Sequence, residues 1–394
     1  MLVEFSVTNF ASFKNKVTIN FEVMDLDPDH IFNPETRQKV NGLEINTINI
    51  LYGKNASGKS NFLRAIQTFV DFINRPYLFR DKDNKDEVDR KIDFFDTNFP
   101  CCFDLKFRGQ DAIEYDYHIS ISSDGCKIVK EKLESNAILI FERADENKIN
   151  WYKGESEKYK ALANDIDILN MLDYLYNEPI FYQRFKSLSE FQSNMETSTE
   201  SFCFMGVKWR NRISKASSYN EDIIKNKDYI IETLQKADWD IIDLKYDENK
   251  EDIVFQHKSQ KWLSYKKQSE GTKAFFKFIA HVFIKMNSGK HQIFVIDEIE
   301  LSLHMKLVEH IVDLFRNPET NPNHCILLCS THDVRLMHQS VTNADQIWLI
   351  DRDPDSQETS LRTIADYDGY DPIGLQHQYM NGDFGAVPNL GKEE

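Results

Sequence analysis

Ile45-Asn46-Thr47-Ile48-Asn49-Ile50-Leu51-Tyr52 runs without a break into Gly53-Lys54-Asn55-Ala56-Ser57-Gly58-Lys59-Ser60. The first stretch, rich in β-branched and apolar residues, reads as a buried strand, and GxxxxGKS after it is the pattern of a phosphate-binding loop. Beyond the loop Phe62, Ala65, Ile66, Phe69, Val70 and Ile73 recur at helical spacing. The loop therefore lies between a strand and an amphipathic helix, as such a loop requires. Glycines let the backbone curl until several N–H groups face one phosphate chain, which is the task of Gly53 and Gly58. Lys59 brings a compact positive charge to the terminal phosphates, and the Ser60 hydroxyl is a hard oxygen ligand for Mg²⁺. Lys54, Asn55, Ala56, Ser57 and the following Asn61 complete the expected nucleotide-binding set. The bland alternative, a chance loop, is disfavoured by the flanking strand and helix.

A second cluster stands far downstream. Gln268-Ser269-Glu270-Gly271-Thr272-Lys273 precedes a helix whose Phe275, Phe278, Ile279, Val282, Phe283 and Met286 share one face. Read alone, Ser269 is an ordinary helix cap; read with the loop, the helix start is a place where a phosphate docks. Ile293-Phe294-Val295-Ile296 is an apolar run ending in Asp297-Glu298, the look of a buried parallel strand with carboxylates at its C-terminal tip. Asp297 is expected to hold Mg²⁺ opposite Ser60, and Glu298 to accept a proton from the water that attacks the γ-phosphate. Cys325-Ile326-Leu327-Leu328-Cys329 is a third buried strand, delivering Ser330-Thr331-His332-Asp333 to the same sheet edge. A lone His at a strand end is usually structural; in this motif order His332 is expected to contact the γ-phosphate.

The rest of the chain frames these clusters. Residues 2–10 and 17–23 read as a hairpin, and alternating segments at 102–107, 115–121 and 137–141 as antiparallel strands. From about 155 to 240 the pattern is polar and aromatic with helical runs, and residues 241–246 and 253–257 are strand-like. With 394 residues and 41% hydrophobic content the chain is long enough for one large core or two lobes. It has no apolar run of about 20 residues and no signal-peptide pattern, so a cytoplasmic protein without a membrane span is expected. Six scattered cysteines read as reduced thiols. A net charge of −16 repels polyanions unless basic residues gather on one face.

The order of motifs, with SEGT, Asp-Glu and Thr-His close together after a long excursion, resembles the RecF/SMC-like branch of ABC ATPases. The loop has Asn55 at the GxNxxGKS position, and SEGT stands where transporters carry LSGGQ. Within that branch the chain is similar to the small bacterial ATP-binding proteins of the AbiL/RloA group, linked to defence against phage. Asn9-Phe10-Ala11-Ser12-Phe13-Lys14 near the start and Phe384-Gly385-Ala386-Val387-Pro388 near the end carry weaker parts of the likeness. The resemblance implies ATP with Mg²⁺, a head-to-tail homodimer, and closure of Ser269, Glu270 and Gly271 of one copy over ATP held by Lys59 of the other. Leu301-Ser302-Leu303-His304 departs from the SALD-like loop of transporters, and no Q-loop glutamine is evident.

The expected fold is α/β: an ABC-type ATPase head with a mixed sheet in two lobes, residues 1–150 and 241–394, and a mostly helical insertion over 151–240. The favoured function is an ATPase sensor that holds or releases a separate effector, a nuclease or toxin. A RecF-like DNA-binding repair ATPase is the alternative; it needs a basic face, for which Lys208-Trp209-Arg210-Asn211-Arg212 with Lys215, and Lys258, Lys261, Lys266 and Lys267, are candidates. A self-contained nuclease of the overcoming-lysogenization-defect type needs a further acidic domain, for which the stretch after His332 is too short.

Overall fold

The computed structural model describes residues 1–40, 42–74, 92–108, 113–123, 128–145, 148–151, 202–205, 217–249, 252–287, 289 and 291–388. The first half contains β1 (Leu2–Thr8), β2 (Val17–Asn20), β3 (Arg37–Val40), β4 (Leu43–Asn46), β5 (Ile48–Tyr52), α1 (Lys59–Asn74), β6 (Cys101–Arg108), β7 (Glu114–Ile121), β8 (Ile128–Ser135), β9 (Ile138–Asp145) and β10 (Lys148–Trp151). The second contains β11 (Phe202–Met205), α2 (Ser217–Lys225), α3 (Lys227–Leu234), β12 (Ile241–Asp247), β13 (Asp252–His257), β14 (Trp262–Ser264) and α4 (Glu270–Met286). After these come β15 (Ile293–Ile296), α5 (Met305–Arg316), β16 (Ile326–Ser330), β17 (Ile347–Arg352), β18 (Thr359–Thr363) and α6 (Leu375–Asn381).

Two main sheets result. One is antiparallel, in the order β10-β9-β8-β7-β6-β1-β2; the other runs β11-β15-β16-β5-β17-β18 and is parallel except for its last strand. The strand that leads into the phosphate loop, β5, thus lies between β16 and β17 from the far end of the chain. The N- and C-terminal segments share one sheet.

Side-chain alternation explains the layering. On β15, Ile293 and Val295 join one core and Phe294 and Ile296 the other; on β16, Ile326 and Leu328 are separated from Leu327 and Cys329 in the same way. A strand buried on both faces needs an unbroken apolar run, which is why these segments show no polar alternation. The first core is filled by α1, whose Phe62 and Phe69 meet Phe5 of β1 edge-on at 6.0 and 5.8 Å. The second is filled by α4 and α5 against the opposite face. Aromatic pairs of this geometry add about 1 kcal/mol each beyond the area they bury.

Several sequence expectations are refined. The run 45–52 is not one strand. It breaks at Thr47, with β4 in a separate hairpin with β3, because the buried backbone at 46 and 47 finds other partners: Asn46 N–H donates to the Phe21 carbonyl and Thr47 N–H to that of Thr36. The stretch expected to be a mostly helical insertion contributes β11, which pairs in parallel with β15 from Phe202↔Ile293 to Met205↔Ile296. Helices α2 and α3 are present, while 152–201 and 206–216, including Lys208 to Arg212 and Lys215, lie outside the described residues. β8 joins the antiparallel sheet between two strands that the alternation had marked. Cys101, Cys325 and Cys329 are buried free thiols and Cys102 is half-buried; burial pushes the Cys325 thiol up to about 12. Among the described residues no helix is long and apolar enough to cross a membrane.

A buried polar contact ties the β3–β4 hairpin to the segment before β17. One carboxylate oxygen of Asp345 accepts from Arg37 Nη2 at 2.9 Å, Asn46 Nδ2 at 3.1 Å and the Met24 N–H at 3.2 Å. Its side chain is fully buried and that of Arg37 nearly so. Removing one partner leaves an uncompensated buried charge, so Asp345→Ala is expected to cost about 3 kcal/mol of stability in urea unfolding.

Candidate functional site

Three parallel strands end at one edge of the six-stranded sheet. Cys329 of β16 pairs with Ile296 of β15 on one side and with Ile50 of β5 on the other, so the residues after 296, 330 and 52 emerge side by side. Ligands of open α/β sheets gather at such an edge, where strand order departs from chain order.

The phosphate loop is concave and tightly backed. Gly53 has φ 152°, and a Cβ there would lie 2.2 Å from the Ile350 carbonyl oxygen of β17. Gly58 has φ 116°, and its Cβ would meet Ser12 Oγ at 2.8 Å and Thr359 at 3.1 Å. Ala56 is also left-handed, at φ 61°. Ser12 belongs to the Asn9–Lys14 motif, whose turn it helps hold against the loop: Asn61 Nδ2 donates to Ser12 Oγ at 3.0 Å, and Thr359 N–H donates to the Ser12 carbonyl. The weak motif near the chain start thus buttresses the loop of residues 53–60. Lys54 reaches Asp351 at 2.9 Å, Asn55 and Ser60 are exposed, and Ser57 is buried.

Lys59 opens α1 and is nearly buried. Its ammonium donates to the carbonyls of Gly53 at 2.6 Å and Lys54 at 3.1 Å, so it sits inside the curl of its own loop. Burial lowers its pKa, while Asp297, Glu300 and Glu298 pull it back up. Three carboxylates of one loop therefore lie within electrostatic reach of Lys59.

Ser330, fully buried at the tip of β16, clasps the tip of β15. Its hydroxyl donates to Asp297 Oδ1 at 2.6 Å and accepts the Glu298 N–H at 2.8 Å. Glu298 is held at φ 51°, a left-handed conformation that costs a non-glycine residue on the order of 1 kcal/mol. Glu300 Oε1 accepts the His332 N–H at 2.9 Å. His332 is exposed, and burial of part of its ring with the Lys59 charge keeps its pKa below the usual histidine value.

Ser269, Glu270 and Gly271 stand together at the start of α4. Ser269 is the N-cap and accepts the Thr272 N–H at 3.1 Å, and Glu270 pairs with Lys273 at 2.5 Å. Thr272 Oγ1 donates to Asp238 at 3.1 Å, anchoring the cap to the segment after α3. A Cβ on Gly271 would lie 3.1 Å from the Ser302 carbonyl, so the helix start adjoins the loop after Glu300. The polar contacts of Ser269 and Glu270 are within their own helix, and both residues are exposed.

The donor set suits a hard cation, since Ser60 offers a hydroxyl and Asp297 a carboxylate. Among the described residues there is no cluster of three or more His, Cys, Asp or Glu poised for a metal.

Residues 48–338 match the family model described as "AAA domain, putative AbiEii toxin, Type IV TA system". The chain belongs to that family. The matched AAA domain spans residues 53–60, SEGT, Asp297-Glu298 and Ser330 to His332, so the expected ATPase of an abortive-infection-linked family is met at family level. No curated protein matches the sequence significantly. Among solved structures the chain is similar to the SMC head domain from Thermotoga maritima, at 14% identity and TM-score 0.43, covering 92% of this chain and 98% of that one. It is similar to the SmcHead bound to the C-winged helix domain of ScpA, at 14% identity and TM-score 0.47, covering 92% and 97%. It is also similar to the Smc head domain with an extended coiled coil bound to the C-terminal domain of ScpA derived from Pyrococcus furiosus, at 16% identity and TM-score 0.46, covering 92% and 96%.

Sequence reasoning missed Glu300, Ser330 as a clasp, and the Ser12–Thr359 backing of Gly58. The acidic spacing Asp297-Glu298-Ile299-Glu300 was a usable signal for the first; Thr359 offers none. Because the Ile350 carbonyl is fixed backbone, Gly53→Ala is expected to abolish binding of a fluorescent ATP analogue while leaving the far-ultraviolet circular dichroism of the fold unchanged.

Proposed function

We propose that the protein binds and hydrolyses ATP at the edge formed by β5, β15 and β16, and that a second copy completes the site with Ser269, Glu270 and Gly271. The observation carrying this reading is the split itself. Lys59, Asp297, Glu298 and His332 converge at one sheet edge, whereas Ser269 and Glu270 are exposed at the start of α4, with their side-chain bonds running to Thr272 and Lys273. A helix N-terminus with free N–H groups and a hydroxyl is fit to neutralise the γ-phosphate of a nucleotide presented by another copy.

Each residue then has a role. Lys59 exchanges the Gly53 and Lys54 carbonyls for β- and γ-phosphate oxygens. Glu298 takes the proton of the attacking water, and His332 hydrogen-bonds the γ-phosphate. Ser60 and Asp297 would hold Mg²⁺, which supplies charge neutralisation along the phosphate chain. Hydrolysis removes the anion that holds the two faces together and so loosens the assembly.

The assembly, in this reading, holds or releases a separate effector, a nuclease or toxin, in bacterial defence against phage, inside the cytoplasm. The family description, with its toxin of a type IV system, supports that setting. One observation favours the DNA-binding alternative. Lys258 lies 4.2 Å over the ring of Trp239, which is 69% exposed, a basic-aromatic pair of the kind that stacks on nucleic acid. The net charge of −16 weighs against it.

Steady-state turnover with equilibrium binding tests the proposal. Lys59→Ala is expected to lose ATP binding, and Glu298→Gln to bind ATP while turnover falls at least about a hundredfold, the usual weight of a general base. A Glu298→Gln protein turning over at the parental rate would remove Glu298 from that role. Ser269→Arg is expected to spare binding by the single chain and halt turnover; unchanged turnover contradicts the shared site.

A further inference from the structure

The motif Phe384-Gly385-Ala386-Val387-Pro388 and the short helix α6 before it have no part in the site as described so far, yet they reach it. Tyr379 of α6 is 6% exposed. Its hydroxyl donates to the Ala386 carbonyl at 3.2 Å, and the backbone N–H of Gly53 faces the Tyr379 hydroxyl oxygen itself. Burial pushes the phenol up to about 12, so it remains a donor at any physiological pH. Its ring packs on Tyr52, the last residue before the phosphate loop, with centroids 5.8 Å apart. The Tyr52 hydroxyl in turn donates to the Asp333 carbonyl at 3.0 Å, one residue beyond His332.

The segment is shaped for this contact. Gly382 at φ 85° ends α6, Gly385 at φ 69° and Ala386 at φ 59° then turn the chain back, and Tyr367 holds the Phe384 carbonyl at 3.0 Å. Ala386 has no steric licence for a left-handed backbone, so the conformation must be held by its surroundings. What holds it includes the Tyr379 hydroxyl.

We propose that the segment from α6 to Val387 is a working part of the nucleotide site and that Tyr379 is a positioning residue for the phosphate loop. It fixes the Gly53 N–H and, through Tyr52, couples the loop to the backbone beside His332. The inference rests on the ATP-binding reading, but its structural half stands apart from it: the Gly53 end of the loop is ordered by a residue about 325 positions away in sequence.

The test uses the full chain with Tyr379→Phe, which removes one oxygen and keeps the ring. Two quantities are read: affinity for a fluorescent ATP analogue, and amide hydrogen exchange by mass spectrometry. The expected result is a roughly fivefold weaker affinity, the size of one hydrogen bond, with faster exchange in peptides covering 53–60. Exchange in the antiparallel sheet, 101–121, and the urea midpoint stay as in the parent. Parental affinity and parental exchange at 53–60 overturn the proposal. So does a rise in exchange spread over both regions, which marks general destabilisation. If the parent itself does not bind the analogue, the ATP reading fails, and the exchange at 53–60 alone decides whether Tyr379 orders the loop.

Discussion

The register of β16 between β15 and β5 is the constraint from which the site follows. Parallel pairing of Ile296 with Cys329 and of Cys329 with Ile50 brings three strand ends into line. The Ser330 hydroxyl then locks two of them, accepting the Glu298 N–H and donating to Asp297. A shift of one residue would turn every side chain of β16 to the opposite face, exchanging Leu328 for Leu327 between two distinct cores. Burial on both faces therefore fixes the register, and the register fixes the chemistry.

The same logic accounts for the interleaving of the chain. α1 can fill the space between the two sheets only if it starts at the edge where β5 ends, so the phosphate loop is pinned by the core on one side. Backing comes from sequence-distant pieces: Ser12 and Thr359 behind Gly58, the Ile350 carbonyl behind Gly53, and Tyr379 beside it. Little room is left for the loop to change shape, which suits the phosphate cradle proposed for it.

Much of this was legible because the decisive residues obey local rules. Gly53 and Gly58 reveal themselves by pattern, and the runs 293–296 and 325–329 announce strands buried on both faces. The helix start at Ser269 follows from cap chemistry. What was hidden depends on contacts that leave no local trace. The break at Thr47 arises from partners at Phe21 and Thr36, and β11 lies in a stretch whose composition suggested helix but which gains its pairing from β15. Glu300 looked like one more acid after a strand; its meaning comes from the His332 N–H it accepts. The terminal motifs were visible as motifs, whereas their common target, the phosphate loop, was visible only in three dimensions.

The central claim is that ATP joins two copies through the exposed SEGT helix start. The most direct test is the solution mass of the Glu298→Gln protein by light scattering at moderate salt, with and without ATP and Mg²⁺. The account predicts a smaller species alone and a doubling of mass only when ATP is present, abolished by adding Ser269→Arg. A mass that is the same with and without ATP would contradict it, and would mean that nucleotide acts within a single copy or inside a standing assembly.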